Sequence, residues 1–214
     1  KQINPRIQII GVQAEGAPAI ANSFRTGERT PSDTVHTIAD GIAVKTPGEK
    51  TFEYIKQYVD RVVTVSDDEI ASAVLLLLER CKQVVETSGA APLAAVLNNK
   101  VDVKGKKVVC VLSGGNIDVS FIHKIVEKGL ITRCRQLKFS VLMPDAPGAL
   151  EHFSHIVAQQ NANIILFQHD RVQTDLEIGE AIIHVVCEVG GVDHAKRLIN
   201  TLTADGYKVF TSQI

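Results

Sequence analysis

The sequence predicts an α/β protein with two successive domains, a parallel sheet with helices and then a small antiparallel sheet in βαββαβ order. Up to Gly129, short apolar runs alternate with amphipathic segments, which is typical of parallel βαβ units. After Gly129 the order becomes strand, helix, strand, strand, helix, strand, the ferredoxin-like layout. A length of 214 residues is enough for two hydrophobic cores. We place the domains at residues 1–132 and 133–214.

The composition is that of a soluble globular protein, with 45% hydrophobic and 22% charged residues. The formal net charge is -1 and no basic stripe is present, which disfavours a nucleic-acid partner or a charged membrane surface. No apolar run reaches the roughly 18–20 residues that span a bilayer. The scattered cysteines, without a C-x-x-C pair, favour reduced thiols and a cytoplasmic location.

In the first domain, the apolar runs predict strands and the amphipathic segments predict helices. The predicted strands are residues 6–14, 61–66 and 106–112. The predicted helices are residues 17–27, 48–59, 66–82, 88–100 and 117–130. Ser66 with Glu69 forms a capping-box pattern, and Gly27 is placed to end a helix. Gly41 interrupts an apolar run, which indicates a close approach of the backbone to another group.

In the second domain, the predicted strands are residues 136–143, 162–172, 180–189 and 207–214. The predicted helices are residues 149–160 and 192–206. The second helix carries Ala195, Leu198, Ile199 and Leu202 on one stripe, which predicts the face that it buries.

The stretch VVCVLSGGNID, residues 108–118, combines a predicted strand with a polar glycine turn. Ligands of α/β sheets bind at the carboxyl ends of strands, where Ser113 lies. A serine hydroxyl can hydrogen-bond a ring nitrogen without charging it, and Gly114 and Gly115 leave room for a flat ring. A tight turn without a ligand is the alternative.

Several stretches together resemble one family of enzymes. LSGGNID resembles the C-terminal cofactor motif of the fold-type II pyridoxal-phosphate enzymes, in their threonine and serine dehydratase branch. The stretches QIIGVQAEGAPA, TIADGIAV, VVTVSDDEI and VVETSGAAPLAAVL occur in the order that is typical of the threonine ammonia-lyases. The resemblance covers residues 1–130 and implies part of a fold-type II parallel-sheet domain.

The resemblance implies a set of residues that bind pyridoxal 5'-phosphate. They are Ser113, Gly114, Gly115, Asn116, Gly41 and Glu86. Ser113 would hydrogen-bond the pyridine nitrogen, and such a neutral partner suits β-elimination better than transamination. Glu86 matches an acidic residue near the ring, and its alternative is a solvated acid at the start of a helix.

Some members of this family bind a cation beside the cofactor. Glu15 and the Ala19 carbonyl match two of its ligand positions, but Ala21 stands where some relatives have a second carboxylate. A divalent cation prefers several charged oxygen ligands. The sequence therefore speaks against a tight magnesium site and leaves a weakly held monovalent ion open.

Two elements that this family needs are absent from the sequence. No lysine lies in an S-x-K-x-R-G-type motif, and no glycine run is present to hold the cofactor phosphate. We therefore expect a C-terminal part of a longer enzyme that converts L-threonine to 2-oxobutanoate and ammonia. Alone, the chain is expected to be inactive, because the covalent link to the cofactor needs that lysine. A serine dehydratase, a serine racemase and a stand-alone amino-acid-binding or dimerisation protein stay open as alternatives.

Residues 135–214 resemble an ACT domain, a small amino-acid-sensing module, through the stretch MPDAPGALEHFSHIVAQQNANI. The resemblance implies an effector site in which Asp145 takes the ammonium of an amino acid. Gly148 leaves room for the backbone to approach the ligand, and Asn163 bridges the ammonium and carboxylate of the ligand. The backbone amides at the start of the following helix receive the ligand carboxylate. Isoleucine or valine is the expected effector, and a homo-oligomer the expected assembly. The alternative is a dimerisation module that binds no ligand.

Two histidine clusters are predicted to be structural. Glu151, His152 and His155 lie close together on one helix, and a solvated helix face is favoured over a metal site. Residues 169–171, His-Asp-Arg, are predicted to form a salt-bridged turn.

Overall fold

A computed structural model describes residues 1–171 and 177–211. The chain divides into two compact units, Lys1–Val126 and Glu127–Ile214. The predicted domain limit at residue 132 stays a prediction. The predicted strand ends at residues 172 and 212–214 lie outside the described residues.

The first unit is built around two parallel strands. They pair in register from Ile10 opposite Arg61 to Ala14 opposite Val65. The strands are β1 (Ile10–Ala14) and β2 (Arg61–Val65). The helices are α1 (Ala19–Thr26), α2 (Glu49–Tyr58), α3 (Asp67–Leu76), α4 (Thr87–Leu97) and α5 (Val119–Thr132), which continues into the second unit. A 3₁₀ turn spans Asp40–Ile42, and a π-helical turn, Leu77–Cys81, extends α3.

Two predicted helix-end signals of this unit, the Ser66–Glu69 capping box and Gly27, are confirmed. The Glu69 backbone N–H donates to the Ser66 hydroxyl at 3.2 Å, and the Ser66 N–H donates to the Glu69 carboxylate at 2.8 Å. This reciprocal pair is a capping box, which satisfies two helix-end donors. Gly27 has a φ of 79°, and its N–H donates to the Ser23 carbonyl at the end of α1.

Small residues let α4 pack closely against its neighbours in the first unit. Ala90 and Ala94 of α4 are fully buried in one core cluster with Val65 of β2 and Ile70 of α3. Alanine loses little side-chain entropy on burial and allows close backbone approach, so the small-residue run of this helix specifies a tight contact. The start of α4 is thereby held firmly beside the two strands.

The prediction of a strand at residues 106–112 is wrong. In the described part of the chain this segment pairs with no strand. Val109 is 87% exposed and Val111 68% exposed. Apolar β-branched residues predict a strand tendency, but a strand forms only where a neighbouring backbone supplies partners for its N–H and C=O groups.

The second unit confirms the predicted βαββαβ order. Its strands are β3 (Gln136–Pro144), β4 (Asn163–Asp170), β5 (Glu180–Glu188) and β6 (Lys208–Phe210), and its helices are α6 (Ala149–Gln159) and α7 (Val192–Ala204). The four strands form one antiparallel-paired sheet in the order β4-β5-β3-β6.

Both helices of the second unit share one core with the sheet. Leu137 and Ile183 of the strands and Phe153 of α6 are fully buried there. The predicted α7 stripe faces this core: Ala195, Leu198 and Leu202 are fully buried, and Ile199 is half-buried. Among residues 1–171 and 177–211, no helix has the length and apolar character needed to cross a bilayer.

Candidate functional site

The start of α4 meets the glycine turn that follows residue 112. The Glu86 backbone N–H donates to the Gly114 carbonyl at 3.3 Å. Gly114 has a φ of 76°, and a Cβ at this position would overlap the Glu86 carboxylate. A Cβ on Gly89 would overlap the Ser113 carbonyl. Only glycine fits at both positions, because the turn and the helix start lie in direct backbone contact.

A third segment completes this contact. A Cβ on Gly41, in the 3₁₀ turn, would lie 2.8 Å from the Ser88 hydroxyl and 3.5 Å from Glu86 Oε1. Three stretches that are far apart in sequence thus converge on one place. We call this place the shelf and define it as Gly41, residues 86–89 and residues 113–116.

Hydrogen bonds fix the loop that carries Gly41. The Thr87 hydroxyl donates to the Ile38 carbonyl at 2.7 Å. Asp67, at the start of α3, accepts from the Thr37 hydroxyl at 2.6 Å and from the Ile38 N–H at 3.1 Å. Because these bonds tie the loop to α3 and α4, Gly41 is placed beside Ser88 by rigid elements.

The polar atoms of the shelf have capacity for a ligand. The Ser88 hydroxyl is buried and has no hydrogen-bond partner in the described residues. Ser113 is exposed at the outer edge of the shelf. Buried polar groups in proteins are almost always paired, so the orphaned Ser88 hydroxyl marks a place for a further group. Glycine backbone, two hydroxyls and one carboxylate suit the face and edge of a flat polar ring.

A family comparison assigns this chemistry. Residues 1–114, more than half of the chain, match the family described as pyridoxal-phosphate dependent enzyme. The chain belongs to the pyridoxal-phosphate dependent enzymes. These enzymes use pyridoxal 5'-phosphate as cofactor, and the flat, glycine-lined shelf with its orphaned hydroxyl fits such a ring.

Individual members of the pyridoxal-phosphate dependent enzymes resemble the chain over different lengths. The L-threonine ammonia-lyase of Thermotoga maritima is 45% identical over 209 residues, which are 98% of this chain and 52% of that protein. The processed threonine deaminase isoform 2 of Solanum lycopersicum is 35% identical with a TM-score of 0.54, covering 59% of this chain and 38% of that one. A serine racemase of Dictyostelium discoideum is 39% identical with a TM-score of 0.51, covering 56% of this chain and 39% of that one. The chain therefore spans about half the length of the curated relative.

The structure brings together most of the predicted cofactor residues. Gly41, Glu86, Ser113 and Gly114 meet at the shelf, and Gly115 and Asn116 follow in the same exposed turn. Glu86, the N-cap residue of α4, is half-buried, and its carboxylate lies against Gly114 and near Gly41. The residue-by-residue roles stay predictions.

Sequence reasoning missed two shelf residues of α4. Ser88 supplies the orphaned hydroxyl, and Gly89 makes the contact with the Ser113 carbonyl. Both lie in the stretch VVETSGAAPLAAVL, from which only Glu86 was singled out as a site residue. The signal that was available is the Ser-Gly pair, because glycine inside a helix is unfavourable unless a close contact requires it.

An ammonium group lies beside Glu15, one of the two predicted cation ligands. The Lys100 Nζ lies 3.1 Å from Glu69 Oε1 and 3.6 Å from Glu15 Oε1. The hydrogen bond to Glu69 raises the pKa of Lys100, so its side chain stays charged at neutral pH. Ala19 is fully buried at the start of α1. Sequence reasoning did not single out Lys100, since nothing in Asn-Asn-Lys at the end of α4 indicates its partners.

The predicted effector residues lie at two ends of the second sheet. Asp145 follows β3 and pairs with Arg171 at 3.2 Å, and His169 Nε2 lies 4.0 Å from the same carboxylate oxygen. Asn163 begins β4 and donates to Glu188 at 3.1 Å. Asn163 lies level with Gln136, and Asp145 comes nine residues after Gln136, so Asn163 and Asp145 of one chain are separated by about 30 Å.

A cavity of about 450 Å³ lies beside Asp145. Its lining includes Asp145, Gly148, Phe167, His169, Arg171 and Ile183. Gly148 has a φ of 88° at the start of α6, and a Cβ there would meet nothing within 4 Å. In the predicted histidine cluster of α6, His152 bonds Asp205 at 2.6 Å and His155 bonds Gln159 at 2.9 Å. In the described residues, no group of three His, Cys, Asp or Glu is arranged to hold a metal.

Proposed function

We propose that this chain forms the ring-nitrogen side of the active site of a threonine ammonia-lyase. The observation that carries the proposal is the convergence of Gly41, Glu86–Gly89 and Ser113–Asn116 at one shelf. The similarity to an L-threonine ammonia-lyase along 98% of the chain supports threonine as substrate. The net reaction converts L-threonine to 2-oxobutanoate and ammonia, with the β-hydroxyl leaving as water and one water taken up to release ammonia.

In this proposal the residues of the shelf bind and orient, and the cofactor supplies the chemistry. When bound, pyridoxal phosphate provides the electron-accepting ring that stabilises negative charge at the substrate α-carbon. The Ser113 hydroxyl hydrogen-bonds the ring nitrogen without protonating it. Gly41 and Gly114 let their backbone lie directly against Ser88 and Glu86, and Ser88 supplies a further hydrogen bond.

The lysine that links the cofactor covalently is not supplied by this chain, because no lysine lies in the required motif. We therefore propose that the chain acts within a longer enzyme, in line with its span of about half the length of its curated relative. The experiment measures ammonia release from L-threonine with pyridoxal phosphate. We expect activity from the complete product of the gene and none from residues 1–214 alone. Efficient release by residues 1–214 alone would contradict the proposal.

Serine is the second candidate substrate. The similarity to a serine racemase structure at 39% identity favours keeping it in the assay. Measuring ammonia release from both L-threonine and L-serine, and D-serine formation from L-serine, separates the three activities. A higher kcat/KM for L-threonine is the expected result.

For the second unit we propose an ACT module that binds a branched-chain amino acid. The cavity beside Asp145 supports this, because it places a carboxylate and two basic side chains next to apolar residues. The ligand ammonium would contact Asp145 and its carboxylate the amides at the start of α6. Asn163 joins such a site only from a second copy of the chain, which agrees with the proposed homo-oligomer.

Calorimetry on the full chain with isoleucine, valine and threonine tests this part. We expect heat from isoleucine or valine and its loss in Asp145→Ala. An absence of heat from all three amino acids would favour a dimerisation module without a ligand.

For the location we propose the cytoplasm, since all four cysteines are free thiols.

A further inference from the structure

Lys100 lies between two carboxylates, one of which the family resemblance assigns to a bound cation. Its Nζ is 3.1 Å from Glu69 Oε1 and 3.6 Å from Glu15 Oε1. The Lys100 side chain is 31% exposed and the Glu69 side chain 20% exposed. The Glu15 side chain is 49% exposed, so the ammonium stays partly open to water and lies closest to the less exposed Glu69.

The three side chains come from three separate elements, and each backbone is fixed. Glu15 follows β1, and its N–H donates to the Val65 carbonyl at 2.8 Å. Glu69 Oε2 is held by the capping box with Ser66, which leaves Oε1 for Lys100. The Lys100 N–H donates to the Ala95 carbonyl at 2.9 Å, just after α4. The ammonium therefore cross-links β1, α3 and α4.

This set of groups does not fit a divalent cation. Magnesium and calcium take six or more oxygen ligands, usually with more than one carboxylate directed at the ion. Here the Ala21 side chain offers no oxygen, and both Glu15 and Glu69 already face a positive charge. An incoming cation would be repelled by the ammonium at short distance.

We propose that the Lys100 ammonium is a built-in replacement for a dissociable cation at the junction of β1, α3 and α4. An ammonium carries one positive charge and three N–H donors, so it can serve two carboxylates at once. Because the ammonium is tethered to the chain, placing it between the two carboxylates costs none of the translational entropy that binding a free ion would cost. This inference concerns the stability of the first unit and does not depend on the identity of the substrate.

Thermal unfolding of the full chain, followed by circular dichroism, tests the proposal. Potassium, magnesium and calcium chlorides are compared with choline chloride at equal ionic strength, which cancels general screening. The wild-type midpoint is expected to be the same in all four salts to within about 1 °C, and unchanged by a chelator. Lys100→Met is expected to lower the midpoint by about 2–4 °C and to create a response to one of the metal cations over choline.

Lys106→Met is the matched control. Lys106 also pairs with a carboxylate, Asp102 at 3.1 Å, but within one loop and without linking separate elements. We expect no cation response from this variant. The proposal is overturned if a metal cation raises the wild-type midpoint above that in choline, or if Lys100→Met responds equally to all four salts. Should Lys100→Met fail to fold, the wild-type comparison decides by itself.

Discussion

The carboxylate of Glu86 occupies the space where a side chain at residue 114 would lie. Gly114 has a φ of 76°, and its carbonyl accepts a hydrogen bond from the Glu86 N–H at 3.3 Å. This pair joins the start of α4 to the turn that carries Ser113. The candidate site depends on this contact, because it sets the place of the Ser113 hydroxyl relative to Glu86.

The first prediction concerns Gly114→Ala. The added Cβ would overlap the Glu86 carboxylate and move the turn away from α4. We expect the affinity of the intact enzyme for pyridoxal phosphate to fall at least tenfold, measured by titration of the visible absorbance of the bound cofactor.

Gly105→Ala is the control for backbone strain. Gly105 has a φ of 72°, close to that of Gly114, but a Cβ there would meet nothing within 4 Å. Both variants should lose about 1 kcal/mol of stability from the left-handed conformation. An equal loss of cofactor affinity in both would show that strain, and not the contact with Glu86, is responsible.

The second prediction compares two neighbouring hydroxyls at the start of α4. Thr87→Val removes a bond of 2.7 Å and leaves the Ile38 carbonyl unpaired, so we expect a loss of about 1–2 kcal/mol in the free energy of unfolding. Ser88→Ala removes a hydroxyl that has no partner in the described residues, so stability should change by less than about 0.5 kcal/mol. Urea unfolding measures both variants.

The affinity for pyridoxal phosphate separates the two hydroxyls further. If Ser88 faces the bound cofactor, Ser88→Ala weakens cofactor binding although it leaves the apoprotein stable. A Ser88→Ala variant that unfolds as easily as Thr87→Val would contradict the account, since an unpaired hydroxyl contributes no hydrogen bond to the folded state.

The third prediction concerns the cysteines. Burial raises the pKa of the Cys187 thiol to about 12, and Cys187 is fully buried in the core of the second unit. Cys81 is exposed. Because the thiolate is the reactive form, a thiol reagent at pH 8 should modify Cys81 quickly and Cys187 only after unfolding. Mass spectrometry of the labelled peptides measures both rates, and equal labelling in the folded protein would contradict the structure.

The same thiol makes stability fall in alkali. An unfolded cysteine has a pKa of about 8.5, so between that pH and about 12 the unfolded state loses its proton while the folded state keeps it. The free energy of unfolding should therefore decrease as the pH rises above about 8.5, by at most about 1.4 kcal/mol per pH unit from this group. Cys187→Ala should show a shallower alkaline decline, and an unchanged slope would contradict the assignment.

The sequence predicted the elements that depend on local chemistry. The Ser66–Glu69 capping box and the Gly27 helix end involve residues a few positions apart, so their patterns are visible along the chain. The apolar run at residues 108–112 was wrongly predicted to form a strand, because the residue pattern alone does not reveal whether a neighbouring strand is present.

Long-range contacts limited the prediction of the site. Ser113, Gly114 and Glu86 were predicted together because their stretches resemble known motifs, whereas Ser88 and Gly89 were found only from the fold. The partners of Lys100 lie 31 and 85 residues away in sequence, which are the separations from Glu69 and Glu15. Local periodicity carries no information on such pairs.

The most direct test of the central claim is the kcat of the intact enzyme for L-threonine after Ser113→Ala, with Ser113→Thr as control. Ser113→Ala is expected to lower kcat at least tenfold, because the ring nitrogen loses its hydroxyl partner. Ser113→Thr should retain most of the activity, because it keeps that hydroxyl. A Ser113→Ala enzyme with the kcat of the wild type would contradict the claim that this turn faces the cofactor ring.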